Sequence, residues 1–336
     1  MSFASYGDLA STFQTRHLNA RLKQDMVRLG QELSTGRKAD ISSFVSGDFG
    51  PIAGINHSLK TLVAHTQSTK EATALVGGAQ TVLGNIQDQT QALSGGLIGA
   101  ISAQNPGLLQ STAVEAREKF VATVSNLNTN LGGRSLFAGA ATDRLAMLDA
   151  ETILWELMTV VSGENTAAGV AGRIDDWFKA PGGGFDTSGY VGAAEDLGTF
   201  RLRAGETATQ PIKANDPELR DLLSALAKSA IIAEGALAGD LIAQRELMTK
   251  SSDELRAADD QMTLLRARLG SIEARIETAS VRNTAEKSAL ELSYNTLTAA
   301  DPYETATTLQ ALYDQMESLY TVTSRLSNLN FTDYMR

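Results

Sequence analysis

LRAADDQMTLLRARLGSIEARIETA, residues 255–279, decides how the chain is to be read. Its apolar positions, Leu255, Ala258, Met262, Leu265, Leu269, Ile272, Ile276 and Ala279, recur at intervals of 3, 4, 3, 4, 3, 4 and 3. That alternation places one side chain per turn on a single helical stripe, the pattern of a coiled-coil seam. With its flanks, the helical pattern covers 252–299, which at 1.5 Å per residue predicts a rod of about 70 Å. No compact domain needs a helix of that length. Gly270 interrupts the pattern at a cost of about 1 kcal/mol relative to alanine, which marks a close packing contact, a joint or a tolerated defect.

Toward the C-terminus, Asp301-Pro302-Tyr303-Glu304 combines an N-cap acid, proline at the first helical position and an acid in the first turn. It predicts a joint and a last helix with a seam of Leu309, Leu312, Met316, Leu319, Thr323 and Leu326. At the other end, Ser5-x-x-Asp8 has the form of a capping box. Apolar residues follow at Leu9, Phe13, Leu18, Leu22, Met26, Leu29 and Leu33, and Gly36 supplies a C-cap. Neither terminal stripe can be buried by its own helix. Both are therefore candidates for an interface.

Between these ends the period changes several times. Residues 39–51 lose it and predict a loop or short hairpin. Helix resumes near Ile52, with breaks expected at Gly77-Gly78, Gly84 and Gly95-Gly96, and a further helix is expected over 108–131. After Gly132-Gly133 come short segments: helices near 153–161 and 173–178, a Gly182-Gly183-Gly184 loop, and a strand pattern at Phe200, Leu202 and Ala204. Asp216-Pro217 restarts helix. The expected organisation is an N-terminal assembly helix (1–38), helical rod segments (39–139 and 216–300) around a small mixed α/β insertion (140–215), and a C-terminal assembly helix (301–336). The fold class is mainly α and elongated, with long terminal coiled-coil helices.

Composition narrows function. The chain has 336 residues, 43% hydrophobic but only 6% aromatic, with 29 glycines and 6 prolines, which suits long helices better than a bulky core. A formal charge of −10 without a basic cluster argues against nucleic-acid binding. No cysteine is present, which fits a chain that is exported or threaded unfolded, or chance. Met1 to Phe13 lacks the basic and apolar regions of a cleavable signal, and no run of about eighteen apolar residues could span a membrane. Export would then need a route that reads no such signal.

Catalytic patterns are scarce. The three histidines, His17, His57 and His65, stand outside any zinc or triad motif and read as solvent-facing helical residues. The pairs Asp175-Asp176, Glu195-Asp196 and Asp259-Asp260 are sequence neighbours, which point to different faces, so they read as solvated charges. No catalytic, cofactor or metal site is expected. Charge instead marks the ends. Residues 21–38 carry Arg21, Lys23, Arg28, Arg37 and Lys38 against two acids, while 301–324 carry Asp301, Glu304, Asp314 and Glu317 with no base. An antiparallel pairing of first and last helices would bring Arg21, Arg28 and Arg37 toward Glu304, Asp314 and Glu317. Exposed pairs contribute only about 0–1 kcal/mol each, so they would set orientation more than stability.

This layout, two heptad ends around an insertion, resembles the bacterial flagellin family. LGQELSTGRKADISSF (29–44) is similar to the family's segment in which a helix ends at a Leu-Ser-Thr/Ser-Gly turn, although the Ser-x-x-Asp-Asp that usually follows is absent. RLGSIEARIE (268–277) and ADPYETAT (300–307) resemble elements shared by flagellins generally. NLGGRSLFAGAATD (130–143) and the terminal FTDYMR (331–336) are similar to the members that join hook to filament, and GYVGAAEDLGTFRLRAGE (189–206) is loosely similar to the same members. The resemblance implies a non-enzymatic, flagellin-like structural protein, exported unfolded by the flagellar type III apparatus to the outside of the cell. The implied partners are copies of itself in a ring, the neighbouring hook-associated junction protein, flagellin and an export chaperone.

Overall fold

Asn or Asp followed by Pro opens three helices of this chain, because the side-chain oxygen can cap free N–H groups while proline needs no partner at the first position. Asn105 accepts from Gly107 N at 2.8 Å and Leu108 N at 3.3 Å. Asp301 accepts from Tyr303 N at 2.8 Å and Glu304 N at 3.1 Å, as the sequence led us to expect. Asp216 departs from the pattern: its Oδ2 takes Lys213 N at 3.1 Å, and it makes no side-chain cap bond to its own helix.

The computed structural model describes residues 4–41 and 48–332, with side-chain surroundings for residues 10, 13–41 and 48–325. The helices are α1 (Ala4–Thr35), α2 (Gly50–Ala103), α3 (Pro106–Leu127), α4 (Ala150–Val160), α5 (Ala167–Lys179), α6 (Pro217–Ala233), α7 (Leu241–Thr298) and α8 (Pro302–Thr332), with a single π-helical turn at Phe185–Gly189. Among the described residues the strands form two antiparallel ribbons. β1 (Asn130–Leu131) pairs with β2 (Arg134–Ser135), and β3 (Phe200–Arg203) pairs with β4 (Glu206–Ala208), with Phe200 opposite Ala208. The fold is mainly α.

Several expectations are corrected. Ser5 lies inside α1, which already includes Ala4, so it is not the N-cap. Residues 42–47 of the expected 39–51 loop lie outside the described residues, and its last two, Gly50 and Pro51, already belong to α2. α2 does not break at its glycines. A methyl on Gly78 would meet Leu131 Cδ2 at 3.2 Å, and one on Gly84 would meet the Arg266 guanidinium at 3.2 Å. These glycines let neighbouring side chains lie close against an unbroken helix. Gly270 has open space around it and α7 runs through it, so it is a tolerated glycine, neither joint nor contact. α7 begins eleven residues before 252, capped by Asp240, whose side chain accepts from Ile242 N and Ala243 N at 3.0 Å each. Ala204 lies in the β3–β4 turn beside Gly205 (φ +74) and is exposed, so the strand pattern ends at Arg203.

The chain divides into two units, residues 63–284 and residues 1–62 together with 285–336. α2 and α7 contribute to both. In the 63–284 unit, α6 is the innermost helix, with Leu222 to Ile232 buried without a gap. α3 presents Leu109, Ala113, Ala116, Phe120, Val124 and Leu127 to the same core, and α5 adds Val170, Ile174, Trp177 and Phe178. The α7 stripe from Leu255 to Ala279 enters this core as read from its spacing, Ile272 being only partly buried.

The 63–284 unit also explains two sequence motifs. Leu136-Phe137-Ala138-Gly139 lies against Tyr190 to Glu195: Ala193 N donates to Ala138 O at 2.9 Å and Ala140 N to Glu195 O at 3.0 Å. Gly139 has φ +61, and a methyl there would stand 2.4 Å from Glu195 O. Only glycine fits. The two segments that looked like junction-type motifs are thus two sides of one contact. His65 is buried and not solvent-facing, whereas His17 and His57 are exposed.

Candidate assembly interface

The first and last helices run antiparallel. At the C-terminal end of α1, Lys38 N donates to Thr298 O at 2.9 Å and Ala300 N donates to Gly36 O at 3.0 Å, an antiparallel bridge immediately before α8 begins. Farther along, Leu18 and Leu22 of α1 share a groove of about 440 Å³ with Asp314, Gln315, Ser318, Leu319 and Val322 of α8. Gly36, at φ +68, accepts its place as the C-cap: its N–H reaches Glu32 O at 2.8 Å.

The two seams meet only in part. Leu22 and Leu29 are buried, Met26 is half-buried, and Leu33 is 42% exposed. On α8, Met316 is buried, Leu309, Leu312 and Leu319 are half-buried, and Thr323 is exposed. The side chain of Leu326 and the terminal residues 333–336 lie outside the described residues, as does the side chain of Leu9. A large apolar surface stays uncovered within the chain: Phe13 is 73% exposed, Val27 71%, and Tyr303 83%. Tyr313 and Tyr320, seven residues apart, and Val322 are about half exposed beside the seam.

The charges do not pair across the two helices within one chain. Arg28 bonds to Asp25 at 3.0 Å and Glu32 at 3.3 Å on its own helix, and its hydrogen bond to Asp25 raises its pKa. Arg37 donates to Asn295 and lies over the Tyr294 ring, 5.8 Å from its centroid. Arg21 is exposed, and among the described residues Glu304, Asp314 and Glu317 make no ion pair with α1; Asp314 accepts from Gln310 at 3.1 Å on α8 itself. The physical reason is reach and geometry: i, i+3 and i, i+4 partners on one helix are closer than those across a seam.

Three features of the terminal unit were missed in the sequence. Glu32 is 1% exposed and so is no solvated acid. Thr298 and Thr305, flanking the α7–α8 joint, are buried. The seven-residue spacing of Tyr313 and Tyr320 was visible and could have been read as a second stripe.

Elsewhere, two of the acids read as solvated are anchors. Lys228, fully buried on α6, reaches both oxygens of Asp175 at 2.8 Å and also pairs with Glu254. Burial pushes the Asp175 carboxyl up, but hydrogen bonds from Lys228 and Lys179 outweigh it and hold its pKa below the ordinary value. Asp259 takes hydrogen bonds from Gln87 at 2.8 Å and Gln91 at 3.0 Å. Asp216 is shifted up by burial, and the half-buried Tyr190 hydroxyl is pushed up to about 12 by burial and by the negative charges of Asp216 and Asp196. Among the described residues no group of three or more His, Cys, Asp or Glu side chains is placed to hold a metal ion, and no helix is long and apolar enough to cross a membrane.

A long-helix scaffold with paired first and last helices is a flagellin-like fold, and residues 253–335 match the family model described as the bacterial flagellin C-terminal helical region. Among solved structures, the crystal structure of FlgL from Bacillus cereus is similar over 70% of this chain and 96% of that one, at 16% identity and a TM-score of 0.51. A putative flagellar hook-associated protein from Vibrio parahaemolyticus is similar over 73% of this chain and 94% of its own, at 10% identity and a TM-score of 0.47. At 16% identity the likeness to the first is one of fold. No curated protein sequence matches the chain.

Proposed function

We propose that this chain is a structural subunit of the bacterial flagellum, that it forms the junction between hook and filament, and that it templates flagellin assembly. The observation that carries the assembly role is the incomplete burial of the α1–α8 pair, whose seam leaves Phe13, Val27, Tyr303, Tyr313, Tyr320 and Val322 uncovered. Large apolar side chains left in the open in this number are normally covered by a partner. The proposed assembly interface is built on the seam of Leu22, Met26, Leu29 and Leu33 with Leu309, Leu312, Met316, Leu319 and Leu326, whose exposed flanks are covered by copies of the chain in a ring. Arg21, Arg28, Arg37, Glu304, Asp314 and Glu317 then set orientation between neighbouring copies. The remaining partners are the adjacent hook-associated protein, flagellin and an export chaperone, and the assembled protein lies outside the cell.

The match to a flagellin C-terminal region supports a second reading, the filament subunit itself. Deleting the gene separates the two. The junction reading expects hooks without filaments and unassembled flagellin shed into the medium. Loss of the filament subunit itself, with hook-associated proteins still in place, supports the second reading. A hydrolase activity in residues 140–215 would overturn both.

A further inference from the structure

Glu32 is 1% exposed on a helix whose other described charged side chains all reach solvent. Its carboxylate faces the turn that follows α1. Oε1 accepts from Ala39 N at 3.1 Å and from Arg28 at 3.3 Å, and Oε2 stands 3.7 Å from Lys38 Nζ. The same turn carries the antiparallel bridge: Gly36 O accepts from Ala300 N and Lys38 N donates to Thr298 O. Between those two bonds, Arg37 donates to Asn295 and covers Tyr294. Thr298 and Ala300 are buried beside it. The turn is thus fixed from both sides, by a buried acid on α1 and by the backbone of the α7–α8 joint. Away from it, residues 13–18 of α1 and 320–325 of α8 are largely exposed.

We infer that Glu32 and the Gly36–Lys38 turn form a clasp that sets the register of α1 against α8 before any partner covers the seam. A charged group taken out of water is tolerated only when its partners are fixed, so Glu32 orders the turn as well as resting in it. Gly36 is required at φ +68, where a Cβ is strained, even though open space surrounds it. The clasp presents the two half-covered stripes in one defined pairing. Its contribution to assembly rests on the function proposed above; its existence in the free chain does not.

Hydrogen exchange resolved to single amides, on the full chain as a monomer, tests the inference. Lys38, Ala39 and Ala300 N–H are expected to exchange roughly tenfold or more slowly than the α1 amides of residues 14–27. Glu32→Ala, and to a lesser degree Gly36→Ala, should raise the rates of those three by about tenfold, with Leu222 and Leu226 in α6 unchanged as a control against general unfolding. Equal rates in the clasp and in 14–27, or no response to Glu32→Ala, would overturn it. Self-association is measured on the same samples. If the parent chain does not associate, the assembly reading fails while the exchange result still decides the clasp. If Glu32→Ala loses the clasp yet associates as fast as the parent, the clasp has no role in assembly.

Discussion

The 63–284 unit and the terminal unit are built from the same kind of helix, yet they close their cores differently. In the first, α6 is covered on all sides, and Phe120, Phe137, Phe178 and Phe185 are fully buried. In the second, α1 and α8 bury Leu22, Leu29 and Met316 and leave an aromatic and aliphatic surface in the open. A helix stripe contributes to stability in proportion to the area it removes from water. The first unit closes its own core, whereas the second leaves apolar surface uncovered within the chain.

The largest effect that could break this contrast lies at Lys228. Lys228→Ala empties a fully buried site, takes the lysine from Glu254 and leaves Asp175 with only Lys179 and Ser224, and is expected to cost about 3–5 kcal/mol in thermal or denaturant unfolding of the 63–284 unit. Lys228→Met, which fills the space, should cost less than Lys228→Ala.

A matched pair of truncations sharpens the comparison. Leu226→Ala, at a fully buried position of α6, should cost about 2–5 kcal/mol. Leu29→Ala, in the thinly covered seam, should change monomer unfolding far less while weakening self-association. Equal losses of monomer stability would mean that the terminal pair is already a finished core.

Acid acts unequally on the two units. Because the folded Asp175 carboxyl has a depressed pKa, its contribution is complete above the unfolded value of about 3.9 and is lost as pH falls through the folded value. Acid unfolding of the 63–284 unit should steepen below about pH 4. Asp175→Asn, less stable at neutral pH, should show a shallower acid limb. The smallest effect on the monomer comes from reversing the charges of Glu304, Asp314 and Glu317 together. With no ion pair to α1 in the single chain, unfolding should shift by about 1 kcal/mol or less, whereas association should be impaired. Unimpaired assembly of that triple variant would remove these acids from the interface.

How much of this was legible in the sequence follows from how local each signal is. The α7 stripe from Leu255 to Ala279 was readable because side chains three and four apart share a face whatever the rest of the fold does. The Asp301-Pro302 cap was readable for the same reason. Gly77, Gly84 and Gly95 misled, because a glycine's effect depends on what packs against it, and Arg266 lies 182 residues from Gly84 in sequence. Asn105-Pro106 was a local signal that went unread. Glu32 could not be found, since its burial comes from a turn that doubles back onto the α7–α8 joint. The antiparallel pairing of the first and last helices was legible from their seams, but the expected direct charge pairing does not form within the chain, because Arg28 finds nearer partners on α1.

The central claim is that the terminal pair is completed only by other copies of the chain, and amide exchange before and after assembly tests it most directly. The account predicts weak protection of residues 13–31 and 305–325 in the monomer, far below that of the α6 amides, and strong protection of the same residues in the assembled state. Strong protection already present in the monomer, or none gained on assembly, would contradict it.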